Sequence, residues 1–148
     1  MNIFEQKKWV GIMKRALSAL SLIAALLALS ACATTDSSNG QSKYKMVDVT
    51  TAKVLHERNA MFIDVRHKYW FDEGHIPGAV NIPFSRFNDN NLAKVVSKDQ
   101  EVVFYCYGIN CELSDKASNR ALSWGYEKVY YFMKGYPGWL GAGYPIEQ

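Results

Sequence analysis

The sequence predicts an α/β domain with a central, mostly parallel sheet flanked by helices on both faces. Strand-like and helix-like segments alternate along residues 46–148, which is the pattern of repeated strand–helix–strand units. Residues 60–65 form a nearly continuous apolar run, as expected of a parallel strand covered on both faces. With 49% apolar and 21% charged residues, the chain has the composition of an ordinary globular protein.

The first predicted elements are a short strand, a helix and the apolar strand. Residues 46–49 are strand-like, and Thr50 can cap a helix that runs to about Arg58. The strand at 60–65 comes next. It is followed by one helical turn at 69–73 and, after the turn that begins at Gly74, by a strand at 79–82.

The second half of the domain continues the alternation. A helix is predicted over residues 90–97, a strand over 101–105, and a helix over 112–124 that ends before Gly125. The last strand is 129–132, and residues 135–144 contain too much glycine and proline for a long helix. Ligands of parallel sheets bind beyond the carboxyl ends of the strands, where the loop that starts at Cys106 is expected.

The first 31 residues have the pattern of a bacterial secretory signal. Lys14 and Arg15 precede an uncharged run, 16–31, that is too short and too rich in serine for a comfortable membrane span of about 20 residues. The tetrapeptide that ends at Cys32, Leu-Ser-Ala-Cys, resembles a lipobox, in which the cysteine is acylated. We therefore expect a signal at 1–31 with Met13 as the natural start, a flexible tether at 32–45, and a domain at 46–148.

This interpretation places the mature protein in the cell envelope, anchored by lipid on Cys32, facing the periplasm and sorted to the outer membrane. Removing residues 1–31 takes away all of the excess positive charge, since the 17 basic and 14 acidic residues of the chain become 13 of each. No basic field remains to attract nucleic acid. The histidines at 56, 67 and 75 are scattered and no glycine-rich fingerprint occurs, so neither a metal nor a cofactor is expected.

Cys106 is the candidate nucleophile. It follows a β-branched strand and precedes a glycine-containing turn and a helix, whose N-terminal amides favour the thiolate and lower the pKa of the thiol from about 8.5. Cys106 is thus expected to be partly ionised near neutral pH. Cys111 lies five positions further on, and in an exported protein the two are candidates for a disulfide.

Three separated segments resemble the rhodanese-like domains. Residues 63–66 (Ile-Asp-Val-Arg) and 74–83 (Gly-His-Ile-Pro-Gly-Ala-Val-Asn-Ile-Pro) look like the first signature of that family. The strand and cysteine at 102–106 look like its second half, together with Gly125, Tyr126, Val129, Tyr130, Gly135, Trp139 and the segment 143–146. The resemblance covers residues 46–148 in family order and at nearly family spacing.

The resemblance implies a sulfurtransferase, an enzyme without a cofactor whose cysteine carries sulfane sulfur as a persulfide. Carried onto this chain, that cysteine is Cys106. The donor would be thiosulfate, a persulfide or a polysulfide, and the acceptor a thiol or cyanide. The backbone amides that would bind the substrate and stabilise the anion belong to Tyr107, Gly108, Ile109, Asn110 and Cys111.

The loop departs from the family pattern in a way that leaves alternatives open. The family places a basic residue near the fifth position after the cysteine, but here that position holds Cys111. Loss of this cation weakens the case for the thiosulfate dianion and argues against a Cys-x5-Arg phosphatase. Cys111 could act as a resolving thiol, which makes thiol–disulfide or peroxide-linked redox chemistry the main alternative. A non-catalytic module that binds a partner or senses sulfane sulfur is the other.

Other residues of the signatures are expected to support the site. Asp64 and Arg66 are expected to pair or brace the active-site loop, and His75 is expected to make a hydrogen bond that stabilises its turn. Tyr107 and Trp139 are the aromatic side chains expected to approach the site.

Overall fold

The computed structural model describes residues 44–148, which form a five-stranded, fully parallel sheet of order β1-β5-β4-β2-β3. The predicted signal at 1–31, Cys32 and nearly all of the predicted tether lie outside the described residues. Within residues 44–148, no helix has the length and apolarity that a bilayer crossing requires. The strands are β1 Lys45–Val47, β2 Met61–Asp64, β3 Val80–Asn81, β4 Glu101–Tyr105 and β5 Lys128–Phe132.

Helices connect these strands and cover the sheet. They are α1 Val49–Glu57, α2 Lys68–Glu73, α3 Asp89–Leu92, α4 Leu113–Ser123 and α5 Gly135–Gly141, with a 3₁₀ helix at Phe84–Arg86. Asp48 caps α1 by accepting a hydrogen bond from the Thr51 amide at 2.8 Å, so this helix begins one residue before the predicted cap at Thr50. The predicted α/β class and parallel sheet are confirmed.

Strand β4 lies at the centre of the sheet because its side chains are apolar on both faces. Val102, Val103, Phe104 and Tyr105 are fully buried, as a central parallel strand requires. The register pairs Asp64 with Tyr105 and Tyr105 with Phe132, so β2, β4 and β5 end at the same edge. The loops that follow these three strands therefore meet at one place.

The alternation of side chains along the strands produces two apolar cores, one on each face of the sheet. Val102 and Phe104 point to the face that packs against α3 and α4. Val103 and Tyr105 point to the face that packs against α1 and α5. The prediction of helices on both faces is confirmed.

Two predicted elements differ from the structure. The helix predicted over 90–97 ends at Leu92, and the chain continues in turns in which the Val95 amide donates to the Leu92 carbonyl oxygen at 3.0 Å. The β-branched pair Val95 and Val96 disfavours further helix, and the core buries Val96. Residues 135–144 hold no long helix, as predicted, but they do contain the seven-residue helix α5.

Candidate active site

Cys106 lies directly after β4, at the edge of the sheet where three strands end. Its side chain is only 1% exposed and belongs to the core on the α3 and α4 side of the sheet. The following loop turns at Gly108, whose φ of 116° is a conformation that favours glycine, and leads into α4 at Leu113. The predicted strand–cysteine–turn–helix order is therefore present.

Cys106 and Cys111 form a disulfide across this loop, with their Cα atoms 6.3 Å apart. In this state Cys106 has no thiolate, in contrast to the partly ionised thiol that the sequence alone suggested. The two cysteines differ in exposure. Cys106 is buried, whereas Cys111 is only partly buried. Solvent and ligands thus meet the disulfide from the Cys111 side.

Only some of the loop amides that were predicted to bind an anion are free of other hydrogen bonds. The N–H groups of Tyr107, Gly108, Ile109 and Asn110 donate to no other residue within the described chain, so they remain free to bind an anion. The Cys111 amide, by contrast, donates to the Gly108 carbonyl oxygen at 2.9 Å. Its predicted role in binding the anion is wrong, because the tight turn at Gly108 uses this N–H.

A cavity of about 610 Å³ lies over the loop. All five residues predicted to bind the substrate line it, whereas Cys106 does not. The opposite wall comes from the segment after β5, which contributes the cation Lys134. No local pattern pointed to Lys134, because only the sheet order brings the end of β5 next to the loop. The cavity is lined by Tyr107, Gly108, Ile109, Asn110, Cys111, Lys134, Pro137 and Gly138.

Gly135 allows the segment after β5 to lie against the Cys106 loop. The Tyr136 amide donates to the Cys106 carbonyl oxygen at 3.0 Å. Gly135 has a φ of 53°, and a Cβ atom on it would lie 2.2 Å from that oxygen and 2.9 Å from the Gly108 nitrogen. Only glycine fits this close approach of two backbones.

Asp64 and Arg66 form a buried ion pair beside the loop, as predicted. Arg66 Nε donates to both carboxylate oxygens of Asp64, at 3.0 and 2.9 Å, and Nη2 donates to Oδ2 at 2.6 Å. Nη2 also donates to the Gly74 carbonyl oxygen at 2.8 Å, which ties β2 to the turn after α2. Burial alone would lower the pKa of Arg66, but the hydrogen bonds and charge of Asp64 raise it above its ordinary value.

The aromatic and histidine predictions have mixed outcomes. Tyr107 lines the cavity, as expected. Trp139 is fully buried in the core on the α1 and α5 side, where Nε1 donates to the Pro145 carbonyl oxygen at 2.7 Å, so its predicted approach to the site is wrong. His75 Nδ1 forms a hydrogen bond with the Phe71 carbonyl oxygen at 2.9 Å, which confirms its role in the turn.

The sequence model of the rhodanese-like domain matches residues 48–142, more than half of the chain. The chain belongs to the rhodanese family. Among residues 44–148 of this rhodanese-like domain, no group of three histidine, cysteine or acidic side chains could hold a metal ion.

The relatives of the domain include proteins of different kinds. It is 35% identical over 103 residues to an HTH-type transcriptional regulator of Mycobacterium tuberculosis, covering 68% of this chain and 44% of that protein. It is 36% identical over 93 residues to the tRNA uridine(34) hydroxylase of Buchnera aphidicola, covering 59% of this chain and 28% of the hydroxylase. The chain thus spans less than half the length of these relatives.

A solved structure has the same fold. The rhodanese-like domain of the Anabaena Alr3790 protein aligns with a TM-score of 0.62 at 25% sequence identity, over 71% of this chain and 80% of that one.

Proposed function

We propose that the domain is a sulfurtransferase that carries sulfane sulfur on Cys106 as a persulfide. The observation that supports this best is the position of Cys106 under a loop whose amides of residues 107–110 have no acceptor in the described chain. Such amides, in the loop that precedes the 11-residue helix α4, stabilise a thiolate and a persulfide anion without a dedicated base.

The reaction consists of two displacements. The reduced Cys106 thiolate attacks the sulfane sulfur of the donor molecule. The sulfur–sulfur bond of the donor breaks, and the rest of the donor leaves with the electron pair. A thiolate acceptor then attacks the outer sulfur of the persulfide, and Cys106 leaves as a thiolate. Lys134 is the one cation that lines the loop cavity within the described residues, so a donor with a single negative charge, such as an organic persulfide, suits the site better than the thiosulfate dianion.

Thiol–disulfide exchange is a second candidate function, favoured by the Cys106–Cys111 disulfide. An external thiolate would attack the more accessible Cys111 sulfur, forming a mixed disulfide and releasing Cys106 as the thiolate that the loop amides stabilise. A second thiolate would then resolve the mixed disulfide. The same opening step would also prepare Cys106 for sulfur transfer.

Single substitutions at the two cysteines separate these functions. For sulfur transfer, Cys106→Ser is expected to lower cyanolysis with polysulfide by on the order of 10³-fold, whereas Cys111→Ser retains turnover and no longer needs a reductant. For disulfide exchange, either substitution abolishes reductase activity. Both assays should be run on each variant with and without prior reduction, and unchanged cyanolysis in Cys106→Ser would rule out the persulfide mechanism.

The location of the domain follows from the predicted signal. We propose that the mature protein begins with an acylated Cys32 and faces the periplasm from the outer membrane. Intact mass spectrometry of the protein purified from membranes is expected to show loss of residues 1–31 and the mass of the acyl chains on Cys32. A soluble protein that retains residues 16–31 would contradict this.

A further inference from the structure

A second cavity, of about 320 Å³, lies next to the loop cavity and shares two of its walls, Tyr107 and Pro137. We propose that this cavity binds an extended, cysteine-containing segment of a partner protein and delivers its thiol to the disulfide loop. The inference rests on the proposed sulfur chemistry and names its acceptor as a protein thiol. The shared wall places any occupant of the second cavity beside the residues that line the first.

The floor of the second cavity offers a hydrogen-bond donor. Arg66 is 3% exposed, and its Nε and Nη2 atoms donate to Asp64 and the Gly74 carbonyl oxygen. Within residues 44–148, Nη1 donates no hydrogen bond, and it is not among the fully buried side-chain atoms that lack a partner, so it keeps some accessible surface. A nearly buried charged group is stabilised by a hydrogen-bond acceptor, and an oxygen atom of a ligand in the cavity can supply one.

The charges around the cavity favour a neutral carbonyl oxygen over a carboxylate. Asp64 compensates the charge of Arg66, with Nη2 and Oδ2 only 2.6 Å apart. Glu73 is the other charged residue that lines the cavity, and it forms no ion pair within the described chain. A main-chain carbonyl group can bind Arg66 without repulsion from Glu73, and a basic side chain of the same segment would complement it.

The aromatic walls and their surroundings point to a protein partner. Trp70 and Tyr107 line the cavity in an edge-to-face pair with centroids 6.1 Å apart, yet they are 49% and 40% exposed. Tyr69 and Ile109 extend this apolar surface and are also exposed. A contiguous exposed patch with several aromatic side chains is typical of a surface that another protein covers. An apolar side chain of the bound segment would then fill the cavity between Trp70 and Tyr136.

Peptide binding tests this inference without relying on activity. The probe is a fluorescein-labelled, acetylated and amidated heptapeptide that contains phenylalanine, lysine and, in place of cysteine, serine. By fluorescence anisotropy, the full-length protein should bind this peptide, and Trp70→Ala should weaken binding about tenfold or more. The matched control Val54→Ala should change binding less than about twofold, because Val54 is a similarly exposed apolar residue, at 46%, on α1 and lines neither cavity.

The control peptides define what would overturn the proposal. Replacing phenylalanine by serine, or lysine by aspartate, should reduce binding to the unmodified protein. Equal binding of all peptides, or of Trp70→Ala and the unmodified protein, would overturn it. Tighter binding of N-acetylphenylalanine with a free carboxylate than of its amide would instead identify a site for small anions. Dimerisation that Trp70→Ala abolishes would identify a second copy of this chain as the occupant.

The cysteine form of the peptide separates failure of this inference from failure of the proposed function. If the serine peptide binds but the reduced domain neither loads sulfane sulfur on Cys106 nor transfers it to cyanide, the binding site stands and the sulfurtransferase proposal fails. If sulfur moves equally fast to a small thiol and to the peptide, and Trp70→Ala has no effect, the sulfurtransferase proposal stands and the binding site fails.

Discussion

Asp64→Asn is expected to lower the free energy of unfolding by about 3–5 kcal/mol, because it leaves the Arg66 charge buried without a counterion. Asp64 is fully buried and Arg66 is 3% exposed, so water can replace little of the lost interaction. The substitution also replaces the acceptor Oδ2 by an NH2 donor, which cannot accept the hydrogen bonds that Arg66 Nε and Nη2 donate to Oδ2. Urea denaturation followed by circular dichroism measures this change.

An exposed ion pair close by in the sequence provides the control. Lys68 and Asp72 are 2.7 Å apart on α2, with side chains 69% and 54% exposed. Asp72→Asn is therefore expected to change the free energy of unfolding by no more than about 0.5 kcal/mol. If the two asparagine substitutions had similar effects, Asp64 and Arg66 would not stabilise the fold as argued.

Gly135→Ala is expected to destabilise the domain by about 2 kcal/mol or more and to impair the disulfide loop. Its Cβ atom would lie 2.2 Å from the Cys106 carbonyl oxygen and 2.9 Å from the carbonyl carbon, which are backbone atoms that no side-chain rotation can move away. The φ of 53° adds the cost of a left-handed conformation, about 1–2 kcal/mol for a residue with a side chain. Thermal unfolding and the rate at which thiols reduce the disulfide measure the two effects.

Gly141→Ala is the matched control in the same helix. A Cβ atom on Gly141 would have no neighbour within 4 Å, so alanine is expected to leave stability unchanged or to raise it by up to about 1 kcal/mol. A stable Gly135→Ala domain whose disulfide is reduced at the rate of the unmodified protein would show that the close approach to Cys106 is not required.

Local patterns predicted the elements whose determinants are close together in the sequence. Strand β4 was predicted with its exact ends, because its apolar run is followed at once by Cys106 and a glycine-containing turn. The Asp64–Arg66 pair was also expected, since two residues on one strand end can reach each other. The helix at 90–97 was predicted too long, because the burial of Val96 depends on packing that lies elsewhere in the chain.

Features that join distant segments could not be predicted in the same way. Lys134 and Pro137 form the wall opposite the loop only because β5 pairs with β4. The spacing of residues in the sequence does not indicate which strands pair. The prediction for Trp139 was wrong for a related reason. Tryptophan suits a ligand pocket and a core equally, and the direction of α5 places this side chain in the core.

The sequence by itself determined the α/β class, the family signatures and the place of Cys106 at the end of a central strand, because hydrophobic periodicity and turn chemistry act over a few residues. The tertiary structure decided which sulfur is accessible, which amides remain free, and that Arg66 has a donor at the floor of a second cavity. Exposure and hydrogen bonding depend on packing between segments far apart in the chain. Only the folded arrangement of β2, β4 and β5 could therefore settle them.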